Sequence, residues 1–410
     1  MTTTPVMQVS DAVTALVGPV GRQDPYPLYE VIREYGNLVP VKPGLIAAVG
    51  YPECDRALRE PSLRVQDGDS FDTVYPNWRA HSSLRGYVDS MLYSNEPDHG
   101  RLRRLVSSGF TARRVKGLRP AIEGMTDRLL DGMAELGALG EPVDFIPEFA
   151  SRLPIAVISA LLGVPESDHV WFRAVAADLT LALEGITTTT RLDPADQAMD
   201  ELADYFVALM DYRRRHPADD VLSELAQIHD TAQDRLSQDE LVGNMMLLLT
   251  AGFETTTFLL GYALLLAFEH PDHIARLRAE PDFATGYVEE CLRFETPVQG
   301  TSRWAVEDVD ILGTAVPGGT KLLLILGAGN RDPRRYEDPA RFDPDRTDVQ
   351  PLSFGAGGHF CLGSPLARME AQIALPRLMR RFPALAPAGT PVRRDTWVGR
   401  GLDHFPVAIG

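Results

Sequence analysis

Residues 243–269 read GNMMLLLTAGFETTTFLLGYALLLAFE. An amphipathic surface helix needs a polar stripe, and this run has none. It is long enough to cross a membrane. However, Asn244, Glu254 and three successive threonines, Thr255, Thr256 and Thr257, interrupt it, and a glutamate in mid-membrane is expensive. The stretch therefore predicts a buried core helix, and no membrane partner is expected. Ser237 and Glu240 form an S-x-x-E capping box ahead of it, and His270-Pro271 ends its pattern. About thirty residues at 1.5 Å each give roughly 45 Å, enough to cross a large domain.

Gly252 lies in the middle of this helix, where glycine costs about 1 kcal/mol relative to alanine. Glu254 and Thr255 follow it. Threonine hydroxyls can bond back to a carbonyl one turn earlier and bend the helix. One reading is a packing notch against another helix, with the glutamate capped by an arginine. The other is a groove where a ligand lies against the backbone, with an acid and an alcohol placed to handle protons. The stretch alone leaves both open.

Most of the chain carries apolar residues at spacings of three and four, which predicts helices over 97–134, 142–163, 197–215 and 237–294. Strand-like pieces lie near the two ends. Residues 38–50 read as two strands around Lys42-Pro43-Gly44. Residues 309–327 read as strands around Pro317-Gly318-Gly319, and GLDHFPVAIG at the C-terminus reads as another short strand. The expected fold is mainly α with a minor sheet. No linker-like run or fixed repeat marks a boundary, so residues 1–410 are expected to form a single domain.

The net charge is −17, which argues against nucleic acid as a partner, because phosphate binding needs a basic footprint. Three distant cysteines, Cys54, Cys291 and Cys361, suit a reducing compartment. No Lys or Arg precedes Arg22, so the charged start of a signal peptide is missing. A cytoplasmic location is expected.

Cys361 sits in SFGAGGHFCLGSPLARME, residues 353–370. A lone cysteine is most often a small buried hydrophobe. Zinc is a poor fit, because no second Cys or His lies at ligand spacing nearby. A dinucleotide loop fails at the third glycine position, which holds Phe360. G-x-S-x-G and H-E-x-x-H are absent. A thiolate before a helix gains from the orphan N–H groups and the dipole there, and the glycines allow a flat ligand to approach. A thiolate bound to haem iron fits these features. His99 and Arg103 share one helix face, as do Glu290 and Arg293. His99, Arg103, Arg303 and His359 could neutralise the two haem propionates.

The ordered motifs resemble those of a bacterial, soluble, class I cytochrome P-450. FGAGGHFCLG matches F-G-x-G-x-H-x-C-x-G, and EECLR supplies E-x-x-R. AGFETT matches A-G-x-[DE]-T-T, HGRLRRLV matches H-x-x-x-R, and NRDP at 330–333 is a further signature. The resemblance spans essentially the whole chain. It implies the P-450 fold, a large helical region with a smaller β-rich region near the N- and C-terminal parts, and haem b (iron protoporphyrin IX).

The resemblance also implies residue roles. Cys361 would be the axial iron ligand, with Phe354 packed beside the sulfur. His99, Arg103, Arg303 and His359 would hold propionates, and Ala251, Thr255, Gly355 and Gly363 would complete the haem contacts. Glu290 and Arg293 would brace the cysteine side, together with Arg341. Glu254 and Thr255 would supply protons during oxygen activation. Met91, Leu92, Leu247, Leu248, Ala251, Val298, Gln299 and Phe405 would line the substrate pocket, under a mobile roof formed by residues 73–93. Tyr75 and Trp78 in that roof suit either an apolar ligand or plain packing. Two departures stand out. Phe253 occupies a position where close relatives often have His, and Pro376 should kink or shorten the helix after the cysteine.

The implied reaction is insertion of one oxygen atom from dioxygen into an apolar small molecule, as hydroxylation or epoxidation. A secondary metabolite such as a polyketide or macrolide is the expected substrate. The acid–alcohol pair argues against a peroxide-dependent variant. Turnover with an electron donor separates this reading from a haem sensor or carrier. The motifs alone leave oxidative coupling open. The chain has no flavin or iron–sulfur motif, so a ferredoxin with its reductase is the expected electron source. Arg101, Arg104, Arg113, Arg114 and Lys116 are the expected docking residues, and a monomer is the expected state.

Overall fold

The computed structural model describes residues 7–184, 191–231 and 236–410. The chain gathers into two compact units. The larger contains Val65–Ala284, Leu362–Pro391 and His404–Gly410. The smaller contains the residues up to Arg64, Thr285–Cys361 and Val392–Asp403.

The larger unit is built around one 32-residue helix, Gln238–Glu269. Its capping box forms as the sequence implies. Ser237 Oγ accepts from Glu240 N at 3.1 Å, and the Glu240 carboxylate accepts from Ser237 N at 2.8 Å. Every residue from 241 to 250 is buried. Helices Ser82–Val88, Arg152–Leu162, Asp193–Arg215 and Ser364–Arg381 pack around it. By length and composition it could cross a membrane, but 72% of its most apolar window is buried inside the protein. A Cβ on Gly252 would stand 2.8 Å from the Ile158 side chain. The glycine is thus a packing notch for the neighbouring helix.

The other helical expectations break where local chemistry demands it. The predicted 237–294 helix is three: Gln238–Glu269, Pro271–Ala279 and Phe283–Phe294. Pro271 and Pro281 cannot continue the ladder. The 97–134 stretch divides into Asp98–Ser107, Ala112–Gly117 and Arg119–Gly137, and the Thr111 side chain caps the second by accepting from Arg114 N. The 142–163 stretch opens with the short strand Val143–Asp144 and one π turn, Ile146–Ala150, before Arg152–Leu162 begins. Pro376 does not shorten its helix, which continues to Arg381.

The smaller unit holds a five-stranded sheet in the order Leu38–Lys42, Leu45–Ala48, Lys321–Leu324, Thr301–Ala305 and Leu63–Arg64. The first hairpin turns at Pro43-Gly44 as expected. Leu45–Ala48 pairs in parallel with Lys321–Leu324. Alternate residues serve opposite faces. Ile46, Ala48, Leu322 and Leu324 join one core cluster, while Ala47, Val49 and Ile325 join another. A sheet buried on both faces needs such unbroken apolar strands. The Pro317-Gly318-Gly319 segment is not a hairpin tip. The hairpin Val309–Ile311 with Thr314–Val316 turns at Leu312-Gly313, and the Pro-Gly-Gly segment leads on to the next sheet. The C-terminal stretch forms two strands, Leu402–His404 and Pro406–Ala408, in different sheets.

Glu290 and Arg293 are both fully buried and bonded twice, at 2.7 and 2.6 Å. Arg293 also donates to the carbonyls of Asn330, Pro339 and Arg341 at 3.0, 2.9 and 3.0 Å. The second cation at Glu290 is Arg346, at 3.3 Å. Arg341 contributes only its carbonyl. Its guanidinium turns to Asp343 at 2.7 Å and is 60% exposed. Removing one partner of a buried pair strands the other, so Arg293→Ala should cost about 3–5 kcal/mol. Arg346→Ala should cost about 2 kcal/mol through its charged hydrogen bonds. Arg341→Ala should cost under about 1 kcal/mol. Denaturant midpoints of the three variants check this ranking.

Candidate active site

The cysteine loop is fixed from beneath by backbone chemistry within the smaller unit. Cys361 N donates to Phe354 O at 2.9 Å, and Gly355 N donates to Leu352 O at 2.8 Å. Gly355 and Gly357 take φ of +66° and +68°, a region that side chains rarely tolerate. A Cβ on Gly357 would also stand 2.6 Å from the Leu58 carbonyl. Asn330 underpins the loop: its side chain accepts from Leu352 N at 2.7 Å and donates to Ser353 Oγ at 3.0 Å and to Thr296 Oγ1 at 2.7 Å. Its carbonyl receives Arg293. The E-x-x-R pair, the N-R-D-P signature and the cysteine loop are thus one hydrogen-bonded assembly. Asn330 had no role assigned from sequence, although the signature that contains it was the available signal. Cys361 itself is exposed. Phe354 and His359 are half-buried beside it, and the Phe354 ring lies 6.5 Å from Phe360. The following helix starts at Ser364, with Gly363 at its N-cap.

Between Leu241 and Leu264 the long helix is open only around residues 251–255. After the buried run to Thr250, Ala251 is exposed and Gly252 and Thr255 are half-buried. Glu254 is 7% exposed, and Leu247 and Leu248 are 6% each. Thr255, Thr256 and Thr257 donate back to the carbonyls of Ala251, Gly252 and Phe253 at 2.9, 3.4 and 2.9 Å. Phe253 is buried. Asn244, Leu248, Ala251 and Thr255 share one stripe of the helix. Asn244 Oδ1 accepts from Met91 N at 3.1 Å, which seats Met91 at the head of that stripe, with Leu92 half-buried after it.

The roof is heavily tethered. His81 Nδ1 meets Asp196 Oδ2 at 2.7 Å, and Tyr75 O–H meets His81 Nε2 at 3.2 Å. Ser83 donates to Asp196 Oδ1 from its N at 3.0 Å and its Oγ at 2.6 Å. Trp78 donates to Asp72 at 2.9 Å and packs 5.7 Å from Phe71. Tyr75 and Trp78 therefore serve packing. No spacing in the sequence links His81 to Asp196.

Of the basic residues, His99 is 3% exposed and Arg103 half-buried on the same helix face. Arg303 lies on the Thr301–Ala305 strand at 5% exposure. Its guanidinium donates to Ser302 O at 2.8 Å and pairs with no carboxylate among the described residues. Burial pushes its pKa down to about 10. A cation whose folded pKa is depressed weakens the fold at every pH below about 10, and the penalty eases as pH rises from there towards the ordinary value. An anionic group beside Arg303 would remove it. The carboxylates of haem meet that need, and the exposed Cys361 before a helix meets the need of its iron, so the residues present fit haem.

Some expected residues lie elsewhere. Gln299 is 1% exposed and committed to the core, accepting from Tyr29 O–H at 2.5 Å and donating to Thr296 O at 2.6 Å. It is not a pocket residue, although Val298 beside it is half-buried. Phe405 is 1% exposed, and its ring packs edge-on 5.7 Å from Phe268. That places it about 20 Å along the helix from Thr255, away from any pocket there. The C-terminal residues that reach the stretch after Pro297 are Val398, which accepts from Gln299 N at 2.9 Å, and Gly399, bridged to Val298. Arg101 is tied to Glu240 and Asp98, and Arg114 to Asp219 and Glu224 at 2.8 Å each. Arg113 and Lys116 stay exposed.

The cytochrome P450 family profile matches residues 186–402. The chain is 37% identical over 397 residues to 6-deoxyerythronolide B hydroxylase of Saccharopolyspora erythraea, covering 94% of this chain and 96% of that protein. It is 37% identical over 326 residues to the polyketide biosynthesis cytochrome P450 PksS of Bacillus subtilis, covering 78% of each. The ligand-free structure of CYP164A2 from Mycobacterium smegmatis matches with a TM-score of 0.87 at 37% identity, covering 98% of this chain and all of that one. Likeness at this level along nearly the whole length makes the chain a member of the cytochrome P450 family, the haem-thiolate monooxygenases.

Proposed function

We propose that the protein hydroxylates or epoxidises a polyketide or macrolide on haem b, with Cys361 as the iron ligand. The observation that carries this reading is the opening at Ala251 and Thr255 in a helix closed by packing from Leu241 to Thr250 and again from Thr256 to Leu264. The substrate class rests on the two relatives, one a hydroxylase of 6-deoxyerythronolide B and one in polyketide biosynthesis. His99, Arg103, Arg303 and His359 would hold the propionates. Phe354, Gly355, Gly363, Ala251 and Thr255 would complete the haem contacts. Met91, Leu92, Leu247, Leu248 and Val298 would shape the apolar substrate space.

When bound, the haem supplies oxygen activation and atom transfer. The chain supplies protons and exclusion of water. Thr255 keeps its hydroxyl proton on the Ala251 carbonyl at 2.9 Å. Swinging that proton away would let the oxygen pass a proton onward, and Glu254, buried one residue before, would resupply it. The tethered roof would exclude water from this exchange.

The two units would work as one P450 domain, in a monomeric cytoplasmic enzyme that uses dioxygen and a ferredoxin with its reductase. Arg113 and Lys116 would attract the acidic ferredoxin. A local basic patch matters more than the −17 net charge, because exposed charges beyond about 8 Å are screened at physiological salt.

The reduced carbon-monoxide complex should show the red-shifted Soret band of thiolate ligation, and Cys361→Ser should lose it. An unchanged band in that variant would remove Cys361 as ligand. Arg303→Leu should speed haem transfer to apomyoglobin by about 10–100-fold, since a hydrogen bond to a charged group is at stake. Ferredoxin-driven reduction should slow with added salt, and Arg113→Glu with Lys116→Glu should slow it further with the haem spectrum intact. A rate indifferent to both would place the docking surface elsewhere.

A further inference from the structure

The helix Ser82–Val88 and the turn after it meet the long helix at two neighbouring residues, Gly243 and Asn244. A Cβ on Gly243 would stand 2.6 Å from the Gly86 carbonyl and 3.4 Å from Ser90 N, so this backbone runs against the long helix with no side chain between. Asn244 takes the next donor along. Its Oδ1 accepts from Met91 N at 3.1 Å, and its Nδ2 donates to Glu240 O at 2.7 Å. Met91 N can only donate and Glu240 O can only accept, so the two partners fix which end of the buried amide faces which.

The rest of the turn is held by its own atoms. Ser90 Oγ donates to Tyr87 O at 2.6 Å and accepts from Leu92 N at 3.3 Å, and Ser94 Oγ donates to Ser90 O at 2.8 Å. These local bonds give the turn its shape but not its place. Among the described residues, the bond from Met91 N to Asn244 is the one that ties residues 88–94 to a distant element. Asn244 leads the stripe that continues through Leu248 to Ala251 and Thr255. Seven residues at 1.5 Å put this tie about 10 Å along the helix axis from Ala251. The Met91 side chain is unbranched, and its three rotatable bonds let it fill many shapes. Where its backbone is pinned therefore decides where it stands.

We propose that Asn244 is a positioning residue that sets how long a ligand the site takes: by holding Met91 N, it fixes where Met91 and Leu92 close the apolar space that begins at Ala251 and Thr255. This inference rests on the reading of Met91 and Leu92 as pocket residues.

The test uses the haem-loaded enzyme and 1-alkylimidazoles of increasing tail length. The imidazole nitrogen binds the iron, the Soret shift reads the affinity, and the tail measures the space from that fixed end. In the parent, affinity should rise about fourfold per added methylene until the tail meets the turn, and then level off. In Asn244→Leu, similar in size but without the acceptor, it should level off at a longer tail, and the Met91 amide should exchange its hydrogen about tenfold faster. Asn244→Asp keeps an acceptor for Met91 N and should keep the parental length. Met91→Ala keeps the tie but shortens the side chain, so it should lengthen the accepted tail with the amide at 91 still protected. A purely structural Asn244 would lower the denaturant midpoint of Asn244→Leu and leave the levelling point alone. A Met91 amide already unprotected in the parent, or a levelling point that Met91→Ala moves and Asn244→Leu does not, overturns this inference alone. A levelling point indifferent to Met91→Ala overturns the pocket reading of Met91 and this inference with it.

Discussion

A 32-residue helix without a polar face can exist in water only if other elements cover it on every side. That demand organises the larger unit. Helices approach the long helix from several directions, and glycines decide how close two of them come. Gly252 admits Ile158, and Gly243 admits the Gly86 backbone. Coverage from Leu241 to Leu264 also gives meaning to the one interruption within that stretch. An exposed alanine at 251 beside a half-buried threonine at 255 would be unremarkable on a surface helix. On this one it marks the break in the packing where the proposed chemistry would sit.

The smaller unit meets a different demand. The loop before the exposed Cys361 needs a support that does not drift, because its φ values are ones that only glycine accepts. The chain resolves this by building support from buried charge. Arg293 has carbonyl partners on Asn330, Pro339 and Arg341, and Asn330 passes the constraint to Leu352 and Ser353. Such a network is costly when broken, and it ties the loop to elements far away in the chain.

Legibility in the sequence followed the range of the interactions. Features set by neighbours along the chain could be read directly: the capping box at Ser237 and Glu240, the Pro43-Gly44 hairpin, the two i,i+3 and i,i+4 pairs. Features set by what packs opposite could not. Gly252 left notch and groove equally open until Ile158 was in place. Gln299 looked like a pocket residue by position, but Tyr29, distant in sequence, draws its amide inward. Phe405 looked like a pocket residue by position, yet Phe268 captures its ring. Arg341 and Arg346 are equivalent by composition, and only the path of the loop decides which guanidinium reaches Glu290. Arg101 and Arg114 belonged to a basic run, and acidic residues more than a hundred positions away neutralise them.

The arginines also show how a missing partner can be informative. Among the described residues three arginines are buried: Arg293, Arg303 and Arg400. Arg293 pairs with Glu290 and Arg400 with Glu295 at 2.8 Å. Arg303 alone of the three lacks a carboxylate among the described residues, and burial pulls its pKa down to about 10. A chain with 57 acidic and 40 basic residues has no shortage of carboxylates to place there. A bound anion beside this desolvated cation would complete the pair. Cofactor binding and folding are then linked: haem propionates would restore stability that the polypeptide alone forgoes at Arg303. On the proposed reading, the site is specified as much by the carboxylate withheld from Arg303 as by the cysteine placed at 361.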